Sequence, residues 1–248
     1  MLLAIPLGLA IGLIVGSVGG GGAILALPAL VYVLGEAPGP ASTASLVVVA
    51  VAAALGAGLL AIRGQVCWRL ALTFSLPAAA GSVLGAIVNA AVSGRALILA
   101  FVPVMLIAAA ATWLRAGAAD DHDDADCPRP AALAILGGGF AVGALTGFFG
   151  VGGGFMIVPV LTLLFGAGFH RAIATSLVII TLTGLAALGS HLAAGATMNA
   201  GLTVALAIPT ALGAIAGTIV GRRLPQAVLG RTFALVMTAV ACLLLVDV

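Results

Sequence analysis

Two glycine clusters set what this chain can become. The first is Gly16-Ser-Val-Gly-Gly-Gly-Gly-Ala-Ile-Leu-Ala-Leu-Pro-Ala-Leu30, and its echo is Gly147-Phe-Phe-Gly-Val-Gly-Gly-Gly-Phe-Met-Ile-Val-Pro-Val-Leu161. At an offset of 131, Gly16 falls on Gly147, Gly19 on Gly150, Gly21 on Gly152 and Gly22 on Gly153, and Pro28, Leu30 and Gly35 fall on Pro159, Leu161 and Gly166. Glycine costs about 1 kcal/mol relative to alanine inside a helix. Both clusters nevertheless sit in long apolar runs. Matched interruptions of apolar segments in two halves of one chain are the sequence sign of broken helices around a transport site.

With 63% hydrophobic and only 6% charged residues, the chain is unlike a soluble domain, where about a quarter of residues are charged. It reads as a polytopic, all-α membrane protein whose main surroundings are the lipid bilayer. Every basic residue is arginine, and a net charge of +2 with no basic stripe gives no reason to expect nucleic acid as a partner. Cys67, Cys127 and Cys242 lie far apart without C-x-x-C spacing, so they are expected to be unpaired and to hold no metal. No cofactor is expected. Without a cluster of His, Cys or acidic residues inside the apolar segments, an enzyme is not expected either.

Apolar stretches of roughly 20 residues cross a bilayer as helices. They run from Leu2 to Leu34 (long, with the first glycine cluster), Ser42 to Ile62, Leu70 to Val92 and Ala96 to Leu114. After a linker rich in aspartate, they resume as Ala131 to Phe165 (long, with the second cluster), Ala172 to Leu192, Leu202 to Gly221 and Val228 to Val246. A step of one more residue aligns Pro77, Gly81 and Gly85 with Pro209, Gly213 and Gly217, so the likeness spans nearly the whole chain. Residues 1–116 and 131–248 form two repeats, and 117–130 is an acidic linker. Met1 to Val15 looks like the apolar part of a signal peptide, but its counterpart is internal, so it is read as structure.

Arginine positions orient the repeats. If each long segment crosses once, the arginines divide four against five. If each turns back at its glycines, Arg63, Arg69, Arg115, Arg129, Arg171, Arg222, Arg223 and Arg231 share one face and only Arg95 lies opposite. The second arrangement obeys the positive-inside rule. It makes the repeats inverted, each a glycine-broken hairpin plus three transmembrane helices, about 8–10 membrane helices in all. The linker is then cytoplasmic and both termini lie outside.

A helix that starts after a glycine cluster offers free N–H groups and the positive end of its dipole, and glycine lets a ligand reach the backbone. No arginine falls inside an apolar segment, so backbone and hydroxyl groups must recognise the ligand, which is expected to be a small anion. The candidate contacts are Gly19, Gly20, Gly21, Gly22, Thr43 and Ser45 in the first repeat. In the second they are Gly150, Gly152, Gly153, Gly154, Thr175 and Ser176. Ser17, Ser42 and Thr146 are further hydroxyls near the breaks. Gly81, Gly85, Gly213 and Gly217, spaced G-x-x-x-G, suit close helix packing instead. The linker acids (Asp120, Asp121, Asp123, Asp124, Asp126) read as a solvated spacer rather than a metal site. His170 and His191 read as structural or interfacial, with proton relay as the functional alternative.

These residues carry a family likeness. Gly150-Val-Gly-Gly-Gly-Phe-Met-Ile-Val-Pro-Val-Leu161 fits a G-x-G-G-G-x-x-x-x-P-x-L pattern, and Gly19 to Leu30 departs from it only by Ala23 in place of the last glycine. With its size and duplication, the chain resembles the TauE/SafE sulfite exporter family, also called the toluene sulfonate uptake permeases. The resemblance implies a bacterial or archaeal inner-membrane transporter of small sulfur-containing anions, such as sulfite, thiosulfate or sulfonates, with protons as a compatible coupling ion. The expected function is therefore a secondary transporter working by alternating access. The alternatives are a passive anion or small-solute channel and a metal-ion permease.

Overall fold

The computed structural model describes residues 3–20, 23–89, 94–118, 127–149, 154–193 and 195–246. They are helical almost throughout. In the first half, α1 (Ala4–Val18) leads to α2 (Ala23–Pro28), a π-turn (Ala29–Val33), α3 (Pro38–Ile62), α4 (Trp68–Asn89) and α5 (Gly94–Ala118). The second half runs α6 (Ala132–Phe149), α7 (Gly154–Pro159), a π-turn (Val160–Leu164), α8 (Phe169–Ala193), α9 (Ala200–Gly221) and α10 (Gln226–Val246). The bounds of α2, its π-turn and α3 recur 131 residues later, and those of α4 recur 132 later. Among the described residues, six helices are long and apolar enough to cross a membrane, which makes this a multi-pass membrane protein; Ala4–Val18 and Ile24–Val33 are apolar but shorter.

The π-turns follow from proline. Pro28 and Pro159 each close a six-residue helix and carry no N–H, so the ladder widens to i→i+5. Leu34 N–H reaches Ala29 O at 3.1 Å, and Phe165 N–H reaches Val160 O at 3.3 Å. Gly35 (φ 71°) and Gly166 (φ 70°) then end the helices in the left-handed region, a conformation that glycine adopts without a Cβ penalty.

Packing exchanges elements between the halves. Helix α1 lies along α9, α6 lies along α4, and α5 pairs with α10. Small residues bring these backbones together, the interface lipid-solvated helices favour because lipid gives apolar side chains no reason to leave it. A Cβ on Gly81 or Gly85 would run into the carbonyl oxygens of Phe140 or Ala144, and one on Gly213 or Gly217 into those of Leu9 or Leu13. The G-x-x-x-G pairs thus pack as expected. Helix α8 fills the centre against α3, and every residue from Ala172 to Ile180 is buried. That stretch, buried on all sides, belongs to the core, while Leu182, Leu185 and Leu192 further along the helix are exposed.

Gly81→Leu and Gly217→Leu are expected to lower stability by about 1–3 kcal/mol or more, because the clash is with backbone and not with a flexible side chain. Gly58→Ala, in α3 with open space around it, should leave stability unchanged or slightly raised. Thermal unfolding followed by size-exclusion chromatography in detergent checks both.

Candidate functional site

The break after α1 begins at Gly19, whose φ of 79° and ψ of −137° turn the chain out of the helix while its N–H still bonds Val15 O at 2.9 Å. Only glycine takes this backbone conformation without strain. A Cβ at Gly19 would stand 2.8 Å from Ser176 Oγ, 3.1 Å from Val158 Cγ2 and 3.6 Å from Ile173 Cα. The first break therefore rests against the second half, on the face of α8 that carries Ile173 and Ser176.

One residue further, the two breaks touch. A Cβ on Gly20 would overlap the backbone of Gly154, and one on Gly154 would lie 2.8 Å from Gly20 Cα and 2.9 Å from Ile180 Cδ1. Both glycines are buried. Ile173, Ser176 and Ile180 follow the i, i+3, i+7 spacing of one helix face, so a single stripe of α8 supports the crossing. Gly21, Gly22, Gly150, Gly152 and Gly153 lie outside the described residues.

The four candidate hydroxyls divide by place. Ser176, fully buried, faces the crossing and donates to Ile173 O at 2.8 Å. Thr175, on a different side of α8, accepts the Cys67 N–H at 3.1 Å and so ties α8 to the α3–α4 connection. Thr43, fully buried, lies 3.2 Å from His191 Nδ1, joining the start of α3 to the last turn of α8. Ser45 donates to Ser42 O at 2.8 Å within α3. Ser17 likewise bonds back to Leu13 O at 2.7 Å. His170 meets Leu224 O at 3.2 Å. Among the described residues no group of His, Cys, Asp or Glu could hold a metal, and the linker acids Asp120 to Asp126 lie outside them.

One expectation is corrected. Cys67 and Cys127 are not unpaired: they form a disulfide with Cα atoms 5.7 Å apart across 60 residues of sequence. Spacing concealed it, because the fold brings the α3–α4 connection and the end of the linker together. Cys242 is free and exposed. The bond joins the first half to the chain entering the second, and it borders a cavity of about 1070 Å³ that sequence reasoning did not find. Arg69, Arg129 and Arg171 line it, and in the sequence they were visible only as a count for orientation.

The sulfite exporter TauE/SafE family model matches residues 4–244. The chain belongs to that family. Among its TauE/SafE relatives, a probable membrane transporter protein of Xylella fastidiosa (strain Temecula1) is 33% identical over 93% of this chain and 89% of its own. A second from Xylella fastidiosa (strain 9a5c) is 36% identical over 71% of this chain and 67% of its own. The probable membrane transporter protein YunE of Bacillus subtilis (strain 168) is 27% identical over 96% of each. No solved structure matches the chain.

For this TauE/SafE chain, the disulfide makes a physical prediction. With a protease site placed in the linker between Ala119 and Asp126, cleavage separates Cys67 from Cys127 into different fragments. The expected outcome is a species near 24.0 kDa on a non-reducing denaturing gel and fragments of about half that mass after reduction. Half-mass fragments without reductant would show that the bond does not form.

Proposed function

We propose that the chain is a secondary transporter, an exporter of small sulfur-containing anions such as sulfite, thiosulfate or sulfonates, working by alternating access between two inverted repeats in the bacterial inner membrane. It is read as a carrier and not an enzyme. The anion is held where the breaks meet, by N–H groups from Gly20, Gly21 and Gly22 on one side and from Gly150, Gly152, Gly153 and Gly154 on the other, while Gly19, whose N–H stays on Val15 O, turns the chain toward it. In this reading Ser176 and its counterpart Ser45 approach the ligand, and Thr43 and Thr175 hold the helices that bear them. Protons are the coupling ion of choice. The acidic linker lies in the cytoplasm and both termini lie outside.

The observation that carries this reading is the backbone contact between Gly20 and Gly154. Chain breaks are tolerated at membrane depth only where they are buried in protein or line a cavity, and here two meet face to face. Each leads into an apolar segment of 11 residues, Ala23 to Val33 and Gly154 to Leu164. At 1.5 Å per residue such a segment spans about 17 Å, well short of the roughly 30 Å hydrocarbon core. A helix that short, started at a buried break, directs its unpaired N–H groups into the protein. The touching backbones also favour a carrier over an open channel, since a channel needs a continuous path.

A thermal-shift screen of the purified protein against sulfite, thiosulfate, sulfoacetate, taurine and sulfate tests the proposal. An anion at 100 times its Kd stabilises by about 2.7 kcal/mol through mass action. The expected result is a selective shift that Gly21→Val, Gly152→Val or Gly20→Val removes while the protein still inserts. In proteoliposomes, transport against a gradient should collapse with an uncoupler. A shift unchanged in all three variants would refute the glycine site, and uncoupler-insensitive flux only down a gradient would favour the channel.

A further inference from the structure

Helical hydroxyls in this bundle commonly bond back to a carbonyl three or four residues earlier, as those of Ser45, Ser75, Thr112 and Thr210 do. Fully buried Thr43 instead reaches across the molecule: its Oγ1 lies 3.2 Å from Nδ1 of His191, 148 residues away. The tie joins the second turn of α3, in the first half, to the last turn of α8, in the second. The His191 ring is half-buried. Its Nε2 has no partner among the described residues and is not enclosed, since the sole buried side-chain polar atom left unpaired among them is Gln65 Oε1. One ring nitrogen thus faces protein and the other an open side.

Histidine gains and loses a proton near neutral pH. With Nδ1–H donating to Thr43 Oγ1, Nε2 keeps a lone pair for a proton from bulk water. Uptake forms an N–H bond at Nε2, leaves the bond to Thr43 in place and turns the ring into an imidazolium. A hydrogen bond with a charged donor is roughly twice as strong as a neutral one. His170 is placed differently, with Nε2 itself on the Leu224 carbonyl. Around this end α3 packs with the starts of α1 and α9 and with the first π-turn, and the described residues of α1 and α9 add no titratable group there. The segment leading into α3 adds two, exposed Tyr32 and half-buried Glu36.

We propose that His191 and Thr43 form a proton-operated latch between the halves: protonation of His191 tightens α8 on α3 at this end, and loss of the proton lets them part. A proton shifts the two arrangements only because it binds one better than the other, and here the difference is the charged hydrogen bond to Thr43. The same α8 carries Ser176 at the glycine crossing, so one helix bears both the proton and a wall of the anion site. The latch rests on the transport reading, for which it names the group that takes the coupling proton. In the orientation proposed above, that proton enters from outside.

The test uses the full-length C242S protein in nanodiscs, spin-labelled at G39C and L192C. Both positions are exposed, one beside each partner of the latch, and a Cβ at Gly39 meets nothing within 4 Å. The distance between the labels should lengthen from about pH 5 to about pH 8. H191N and T43V should lose that response, and T43S and E36Q should keep it. A distance indifferent to pH, a response unchanged in H191N and T43V, or one removed by E36Q overturns the latch. In proteoliposomes, H191N should still exchange labelled thiosulfate but no longer accumulate it under an imposed pH gradient; accumulation at the unsubstituted protein's level also overturns the latch. A distance that follows pH through His191 in a protein that exchanges no anion supports the latch and sinks the transport reading alone.

Discussion

Inside a bilayer no water is available to a peptide group that leaves its helix, and each unsatisfied group costs several kcal/mol. A chain this apolar that interrupts its helices twice must therefore bury the interruptions in protein. Here the glycines that flank them are buried against each other. Gly20 and Gly154 approach so closely that neither tolerates a Cβ, and a stripe of α8 with Ile173, Ser176 and Ile180 closes around them. The rest of the fold can be understood as what holds this crossing in place.

Two devices do so. The first is the exchange of partners between halves: α1 packs on α9 and α6 on α4, so each break is preceded by a helix anchored to the opposite half. Glycines allow the carbonyl-to-Cα approach these pairs require. The second is a set of polar ties at the helix ends, where water is scarce and a hydrogen bond is costly to lose. Thr43 joins His191, Thr175 accepts from Cys67, and Gln226 Oε1 accepts the Phe169 N–H at 2.9 Å. These ties connect distant parts of the chain, and relative movement of the halves must break or carry them along.

Much of the fold was legible in the sequence, because its signals are local and repeat. Apolar length set the spans, the matched clusters set the breaks, and Pro28 with Pro159 fell one residue before each π-turn. The G-x-x-x-G pairs announced close packing. What stayed hidden depends on contacts between remote residues. Neither the 60-residue separation of Cys67 and Cys127 nor their flanking residues hinted at a bond. Thr175 and Ser176 are neighbours that read alike, yet a 100° turn of the helix sends one to the α3–α4 connection and the other to the crossing. The arginines told a story about orientation, while their gathering around one cavity needed the fold.

The account centres on an anion held by backbone where the two breaks meet. Crystals of the protein grown with selenate, a sulfate analogue with an anomalous signal at the selenium edge, locate that anion directly. The account predicts a selenium peak within hydrogen-bonding reach of the main chain around Gly20 and Gly154, beside Ser176. A peak confined to the arginine cavity, or one on the lipid-facing surface, would contradict it.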